Sequence, residues 1–248
     1  ALSLALPDGV SANGPRSTRH IVTLSFDDGF KKSSIETAEI YEKHQLSACI
    51  NVVASAHMKD FRLPNAYHHY PAGDFGLWND LKARGHEIMP HSFKHANLKQ
   101  LPLEEAKGLI MRCLDVFSKE LKDFEPKKAV YNFAYNASTL DLEKWLPTQV
   151  RAFRTAGRAI NPCPHKGQVK LTCTSFGPEN CERAIDREIE NLLGREAGWL
   201  IFNTHGIDEE GWGPVRATYL DRLLERLAGI KSVEILPVGV ALSKFVEE

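Results

Sequence analysis

The sequence predicts an α/β fold, a distorted (β/α) barrel of about seven parallel strands. Short, nearly continuous apolar segments alternate with longer segments whose apolar residues recur at helical spacing. Strands that are apolar on both faces are typical of parallel sheets covered by helices. About seven such units in one chain favour a closed or nearly closed barrel. An open doubly wound sheet is the alternative, although no glycine-rich nucleotide-binding motif follows any strand.

The predicted elements alternate along the chain. The strands are expected at residues 21–26, 48–53, 87–90, 129–133, 152–154, 199–204 and 233–237. The helices are expected at residues 31–44, 75–84, 103–124, 140–150, 180–195 and 218–229, where apolar residues recur every three to four positions. Residues 54–73 and 156–180 show neither pattern and are expected to form loops over one end of the sheet.

The length allows one large α/β domain or two small ones. Residues 1–19 are rich in Gly, Pro, Ser and Asn and are expected to form a flexible N-terminal arm, followed by a single domain at residues 20–248. The net charge of −1 argues against broad attraction to nucleic acid or acidic membranes. No stretch approaches the roughly 20 apolar residues of a transmembrane helix. Cys163, Cys173 and Cys181 could form one disulfide or all stay reduced.

Carboxylate and histidine side chains stand at the ends of three predicted strands. Asp27 and Asp28 follow the first strand, His91 and His95 follow the third, and His205 ends a late one. The carboxyl ends of parallel strands meet at one end of the fold, so these five side chains are expected to share one site. Adjacent carboxylates are costly to bury without a partner, which indicates a bound cation.

Asp28, His91 and His95 are the candidate ligands of a divalent metal. His91 and His95 are four residues apart, which would place both imidazoles on one face of a helical turn. Two histidines and one carboxylate suit zinc, and also iron, cobalt or nickel. Asp27 could then act as the base on a water molecule and His205 as the acid toward a leaving group. Taken singly, the aspartates could instead cap a helix, and His205 could be an ordinary hydrogen-bonded core residue.

Together these motifs resemble the polysaccharide deacetylases of carbohydrate esterase family four, the NodB-homology domain. The sequence SFDDG at residues 25–29 matches the first family motif, and HSFKH at residues 91–95 matches the second. The apolar strand ending in histidine at residues 199–205 is similar to the late motif. The resemblance spans roughly residues 20–240, nearly the whole chain.

This resemblance implies a role for each motif residue. Asp28, His91 and His95 would be the metal ligands, Asp27 the catalytic base and His205 the catalytic acid. The implied cofactor is a divalent metal, zinc or alternatively cobalt, nickel or iron. The implied reaction is removal of an N- or O-linked acetyl group from an acetylated glycan or oligosaccharide. Export to the periplasm, cell surface or medium is also implied, and a cytoplasmic location stays open.

The middle of the chain departs from the family pattern. Many members carry an Arg-x-Pro-Tyr motif on the fourth strand, and its arginine orients the base, but Ala134 stands at the place of that arginine in the sequence YNFAYNAS of residues 131–138. Arg154 or Arg158 could supply the charge from the next strand, unless both have structural or solvent-exposed roles. Asn203 stands two residues before the late histidine, where the family usually has leucine, and makes the expected acetyl pocket more polar.

Substrate contacts are expected from loops over the carboxyl ends of the strands. The backbone N–H of Tyr135 or Ala137 could stabilise an oxyanion, and Arg158 and Trp212 are further candidates for substrate binding. Aromatic faces suit the C–H surfaces of sugars, which adds Tyr67, Tyr70 and Trp78, although core packing is the alternative for Trp78.

Two other functions stay open at this point. The same scaffold could hydrolyse a non-sugar C–N bond, or it could bind carbohydrate and metal without turnover. The intact Asp27, Asp28 and His205 argue against the second alternative.

Overall fold

The structure, a computed structural model, describes residues 19–244, so the predicted N-terminal arm lies outside the described residues apart from Arg19. Nine strands are found in this part of the chain: β1 His20–Phe26, β2 Cys49–Val52, β3 Glu87–Pro90, β4 Val130–Asn132, β5 Ala152–Ala156, β6 Ile160–Asn161, β7 Lys170–Ser175, β8 Gly198–Thr204 and β9 Val233–Ile235.

Seven α-helices are found in the same residues: α1 Lys31–Lys43, α2 Phe75–Ala83, α3 Leu103–Glu120, α4 Leu140–Trp145, α5 Glu182–Leu193, α6 Ala217–Ala228 and α7 Val238–Lys244. Short 3₁₀ turns occur at Leu98–Gln100, Pro126–Lys128, Ala134–Asn136 and Leu146–Thr148. No helix within residues 19–244 is both long and apolar enough to cross a bilayer.

Seven parallel strands form the wall of a nearly closed barrel, which confirms the predicted fold class. Their order is β3-β2-β1-β8-β7-β5-β4. The end strands β3 and β4 lie side by side, and the Asn132 Nδ2 atom donates to the Pro90 carbonyl oxygen at 3.3 Å across this seam. Two strands lie off the path, β6 antiparallel to β8 and β9 parallel to the first half of β1.

The predicted loop at 156–180 is wrong in part, because it contains β7. This strand lies between β5 and β8 and supplies one of the seven barrel strands. Its sequence KLTCTS buries Leu171 and Cys173 while Lys170 is exposed, so it lacks the continuous apolar run by which its neighbours were predicted. In turn, the predicted seventh strand at 233–237 became β9, which flanks β1 outside the barrel path. The other predicted loop, 54–73, contains no helix or strand.

Alternation along the strands divides the barrel interior into an apolar and a polar half. Residues on one face of the strands form a buried apolar cluster with α7 near the amino ends of the strands: Ile21, Cys49, Val130, Ala152, Leu171, Trp199, Ile201, Val238, Ala241 and Leu242. Further along the same face the side chains become polar, as at Ser25, Asn51, Asn132, Arg154 and Asn203, all buried. The opposite face packs against the helices in a larger apolar cluster that includes Val22, Ile50 and Phe202. The candidate site therefore lies at the polar end of the barrel.

Candidate metal and catalytic site

The pairing of β1 with β8 places Asp27 and His205 at the same level along the barrel axis, at the carboxyl ends of the two strands. Phe26 and Thr204 are partners at the end of this ladder, and the Asp27 N–H donates to the Thr204 carbonyl oxygen at 2.9 Å. Asp27 and His205 each follow the last paired residue of their strand. The register of one strand pair thus places a carboxylate and an imidazole on the same cleft.

Asp28, His91 and His95 converge on one point. The Nε2 atom of His91 lies 3.4 Å from the Asp28 Oδ1 atom, and the Nε2 atom of His95 lies 3.1 Å from it. The candidate ligand atoms of the three residues lie within 4.8 Å of one another, and all three side chains are buried. The Asp28 Oδ1 atom accepts no hydrogen bond from the described residues. A buried, unpaired carboxylate oxygen facing two imidazole nitrogens fits a divalent cation.

The two histidines converge by a different geometry from the one expected. The segment after β3 is not helical, and Ser92 and His95 have φ values of 74° and 53°. Asp28, at φ 73°, is also left-handed. Non-glycine residues rarely adopt this conformation, and such strain concentrates at functional sites. The prediction of a helical turn was therefore wrong, and it is the left-handed residues that turn His95 back toward His91.

Contacts around the three candidate ligands suit metal binding. The Nδ1 atom of His91 lies 3.2 Å from the Asn132 carbonyl oxygen, which places the proton on Nδ1 and leaves Nε2 free to bind an ion. Burial alone would raise the pKa of Asp28, but the charge of His95 and the close approach of both imidazoles hold it well below its ordinary value. Burial would lower the pKa of His95, but Asp28 raises it. Both shifts show that this carboxylate stabilises positive charge beside it.

Arg154 holds the candidate base Asp27. Its Nη1 atom donates to Asp27 Oδ1 at 3.0 Å and its Nη2 atom to Asp27 Oδ2 at 2.5 Å. Both side chains are buried. Burial would raise the pKa of Asp27, but the charges of Arg154 and His91 hold it below its ordinary value. The structure thus distinguishes the two arginines that the sequence left open, because Arg154 is the one that contacts Asp27.

A buried amide and hydroxyl network supports this pair, and it was not predicted from the sequence. The Asn51 Nδ2 atom donates to Ser25 Oγ at 2.7 Å and to Asp27 Oδ1 at 2.8 Å. Asn132 in turn donates to Asn51 Oδ1 at 2.8 Å. The available signal was a single asparagine inside each of two apolar strands, because an isolated buried amide requires a partner. All these side chains point into the barrel just below Asp27.

His205 faces the cleft from the end of β8. Its Nδ1 atom is buried without a hydrogen-bond partner among the described residues. Its ring meets the edge of the Trp212 ring, with centroids 5.8 Å apart and planes at 84°. Burial lowers the pKa of His205, whereas the charges of Asp28 and Asp27 raise it in part. The imidazole is therefore held in place by packing and is free to exchange a proton with a bound molecule.

These residues lie at a cleft of about 310 Å³. The residues that line it are Asp27, Asp28, Asn65, Tyr67, His91, His95, Tyr135, Asn136, Ser175, Asn203, His205 and Trp212. Apart from the five residues of the candidate site, these side chains are aromatic or uncharged and polar. Tyr135 is 48% exposed, and its ring centroid lies 4.7 Å from that of His95. A pocket of this size and lining fits a neutral, hydroxyl-bearing molecule.

Several predicted substrate residues do not reach the cleft. Arg158 is exposed after β5, where its carbonyl oxygen accepts from Thr172 Oγ1 at 2.7 Å, and it does not line the cleft, so its role in substrate binding stays a prediction without support from the cleft geometry. The Ala137 N–H already donates to the Ala134 carbonyl oxygen at 3.2 Å, so it is not free to stabilise an oxyanion. Trp78 is buried in the core.

Two further predictions have a clear outcome. Tyr70 packs edge-on against Phe30 and donates to the Glu209 carbonyl oxygen at 2.9 Å, which makes it a link between two loops. All five cysteines are free thiols, so the alternative of a disulfide among Cys163, Cys173 and Cys181 is not realised.

Solved structures of deacetylases and of an acetyl xylan esterase share this fold. A polysaccharide deacetylase, described as putative, from Mycobacterium smegmatis is 14% identical, with a TM-score of 0.70, covering 97% of this chain and 94% of that one. A family 4 acetyl xylan esterase from Clostridium thermocellum, in complex with a cobalt ion, is 16% identical, with a TM-score of 0.60 and coverages of 90% and 91%. The peptidoglycan deacetylase PdaC from Bacillus subtilis is 15% identical, with a TM-score of 0.55 and coverages of 93% and 93%.

At these identities the likeness establishes the fold alone. No curated protein matches the chain in sequence. The sequence profile of the polysaccharide deacetylase family, however, matches residues 14–162, more than half of the chain. That segment contains β1 and β3 with the residues that follow them, and so includes Asp27, Asp28, His91 and His95. On this match and the shared barrel, the chain belongs to the polysaccharide deacetylase family.

Proposed function

We propose that this protein is a metal-dependent hydrolase that removes N- or O-linked acetyl groups from a carbohydrate. The observation that carries the proposal is the convergence of a three-residue metal site, an arginine-held aspartate and a cleft-facing histidine on one pocket. Residues 20–248 would form its single catalytic domain. Its export stays a prediction.

Asp28, His91 and His95 would hold the metal ion. A divalent ion supplies Lewis acidity, which polarises an acetyl carbonyl and makes a nearby water more acidic. Two imidazoles and one carboxylate suit zinc, cobalt, nickel or iron, and zinc is the candidate we favour.

Asp27 would act as the general base. Its pKa is held low, so the carboxylate is ionised at neutral pH and can take a proton from the attacking water. Arg154 and Asn51 donate hydrogen bonds to the Asp27 carboxylate from the barrel interior, and these bonds fix its orientation toward the cleft. The base is therefore aimed before substrate arrives, which removes a reorganisation cost from the reaction.

His205 would act as the general acid. It lies at the cleft directly after β8, and Asp27 directly follows the neighbouring strand β1. In its protonated form it can give a proton to the sugar nitrogen or oxygen as the C–N or C–O bond to the acetyl carbon breaks. The backbone N–H of Tyr135, which lines the cleft, is the remaining candidate for stabilising the oxyanion.

The expected substrate is an acetylated glycan or oligosaccharide. The structural relatives carry names that refer to xylan and to peptidoglycan, and both are glycans. Tyr67 and Trp212 at the cleft offer flat apolar faces to a sugar ring. A non-sugar C–N bond remains a second candidate, because the amide groups of Asn136 and Asn203 make the cleft more polar than expected for a simple acetyl pocket. The intact pair of Arg154 and Asp27 argues against a binding protein without turnover.

The test is acetate release from a panel of N- and O-acetylated glycans. We expect release that a chelator stops and that zinc or cobalt restores. Release that persists in chelator would contradict the metal requirement. No release from any glycan, with the metal still bound by elemental analysis, would overturn the glycan assignment and favour a non-sugar amide.

A further inference from the structure

Two asparagine side chains meet at the floor of the cleft. Asn203 lies on β8, one strand repeat deeper than His205 on the same face, and is 2% exposed. Asn136 belongs to the turn that follows β4. The Asn136 Nδ2 atom donates to Asn203 Oδ1 at 3.1 Å, and both residues line the cleft.

The orientation of the Asn203 amide is fixed by its neighbours. Its Nδ2 atom faces two carbonyl oxygens, that of Thr204 at 3.1 Å and that of Ser25 at 3.5 Å. Rotating the amide by half a turn would bring its own oxygen against both of them. The Asn203 Oδ1 atom therefore faces Asn136, whose own Oδ1 atom accepts from Cys173 Sγ at 3.3 Å.

The pair keeps unused hydrogen-bonding capacity. A carboxamide oxygen can accept two hydrogen bonds and its nitrogen can donate two. Among residues 19–244, Asn203 Oδ1 accepts one and Asn136 Nδ2 donates one, both in the same contact. One acceptor site and one N–H thus remain side by side at the floor of the cleft. A polar group that both donates and accepts, such as a hydroxyl, matches them.

In the proposed reaction, the acyl end of a substrate would be the part that reaches this floor. Asp27 and His205 stand at the strand ends, while Tyr67 and Trp212 are supplied by the loops above. A sugar ring, the larger part of an acylated sugar, would stay among the loop residues. With the carbonyl beside Asp27 and Asp28, the remainder of the acyl chain would point inward, toward Asn203.

We infer, on the basis of the proposed function, that Asn136 and Asn203 select an acyl group carrying a hydroxyl on its α-carbon. An N-glycolyl sugar is then a better substrate than the N-acetyl sugar. The methyl of an acetyl group would leave the remaining N–H of Asn136 and the remaining acceptor site of Asn203 Oδ1 without partners once water is excluded. The free-energy cost of these unsatisfied polar groups is the reason why a hydrogen-bonding site discriminates against the acetyl group. The reaction is an ordinary hydrolysis: water adds to the glycolyl carbon, the C–N bond breaks, the sugar nitrogen takes the proton, and glycolate leaves.

The test compares kcat/KM of the zinc-loaded protein on N-glycolyl and N-acetyl chito-oligosaccharides of equal length. We expect the glycolyl substrate to be preferred by about tenfold or more. The Asn203→Leu variant removes the amide while keeping the number and branching of the side-chain heavy atoms, and it should reverse the preference. Asn65→Ala at the mouth of the cleft is the control, which should change both rates alike and leave their ratio unchanged.

A binding measurement gives a second readout that does not depend on turnover. Glycolate should raise the Tm of the wild-type protein more than acetate does, and Asn136→Ala should abolish the difference. If Asn203→Leu does not fold, the wild-type ratio and Asn136→Ala still decide the question. Equal rates or a preference for acetyl in the wild type would overturn this inference and leave the deacylase function intact. No release of either acid from any glycan would overturn the proposed function itself.

Discussion

Arg154 and Asp27 are joined by two parallel hydrogen bonds inside the barrel, although their strands β5 and β1 are separated by β7 and β8. The guanidinium crosses the polar half of the interior to reach the carboxylate. The guanidinium of Arg154 replaces the arginine that the family usually has at the position of Ala134. A positive charge beside Asp27 is thus supplied from β5 rather than from the position of Ala134.

Arg154→Lys should lower kcat by about 10- to 100-fold with little change in KM. Lysine keeps the charge but cannot form the two-pronged contact that orients Asp27. Steady-state kinetics on an acetylated glycan measure the effect. Arg158→Lys is the matched control, because Arg158 is exposed and lies outside the cleft, and its constants should equal those of the wild type. A wild-type kcat in Arg154→Lys would show that the base does not depend on this contact.

Asp27→Asn should abolish turnover, by about 10³-fold or more, while the metal content stays at the wild-type level. The amide keeps the shape of the carboxylate but cannot take a proton at neutral pH. His91→Ala should lose both activity and metal, because it removes one of three candidate ligands. Elemental analysis beside kinetics separates the two cases. Near-normal activity of Asp27→Asn would refute the assignment of the base.

The dependence of kcat/KM on pH should be bell-shaped, with both limbs at lower pH than the ordinary values of the two residue types. Asp27 must be ionised, so activity falls as pH drops through its pKa, which Arg154 helps to hold low. His205 must be protonated, so activity falls as pH rises through its pKa, which burial lowers. His205→Asn should lose the limb at higher pH. An unchanged limb in that variant would assign it to another group.

Trp212→Ala should raise KM by about tenfold or more, since stacking on an aromatic face is lost. Its ring rests on the backbone at Gly177, where an added Cβ would approach the Trp212 Cε2 atom to 2.6 Å. Trp212→Phe keeps an aromatic face and should retain most of the affinity. Inhibition by unreacted sugar oligomers measures binding apart from turnover. If both variants bind like the wild type, the ring supports His205 rather than the substrate.

Glu87 should make stability fall as pH rises through the acidic range. Burial raises the pKa of its carboxyl group from 4.5 to about 7. Between these two values the unfolded chain has lost the proton while the folded protein still holds it, so the folded state is penalised increasingly up to about pH 7 and fully above it. Glu87→Gln keeps an acceptor for the Gly239 N–H, now at 2.7 Å, and removes the penalty.

Thermal unfolding at about pH 5 and about pH 8 measures this difference. The Tm of the wild type should drop more between the two conditions than that of Glu87→Gln. Comparing the two proteins cancels the contributions of all other titrating groups. Equal drops would show that Glu87 ionises in the folded protein as easily as in the unfolded chain.

The sequence predicted the barrel because most of its strands are apolar on both faces. β7 was not predicted as a strand because only Leu171 and Cys173 in it are fully buried. A strand with an alternating pattern looks like a loop until its neighbours are known. Its place between β5 and β8 is a property of the assembled sheet.

The grouping of Asp27, Asp28, His91, His95 and His205 followed from topology, since all five come after strands of one parallel sheet. The conformation that joins the two histidines did not follow, because spacing alone cannot reveal left-handed residues such as Ser92. Which arginine contacts Asp27 also required the structure. Arg154 lies within β5 and points into the barrel, whereas Arg158 lies beyond the end of the strand and is exposed.

The seam between β3 and β4 gives the candidate metal ion a second role. His91 binds across this seam, with its Nδ1 atom toward the Asn132 carbonyl oxygen, and Asn132 reaches back to Pro90. An ion held by His91 and Asp28 would therefore also fasten the free edge of β3 to β1 and, through Asn132, to β4. Separation of β3 from β4 and dissociation of the ion would then be thermodynamically linked. The apoprotein should exchange its backbone amides fastest along β3 and β4, and added metal should slow that exchange well beyond the residues it touches.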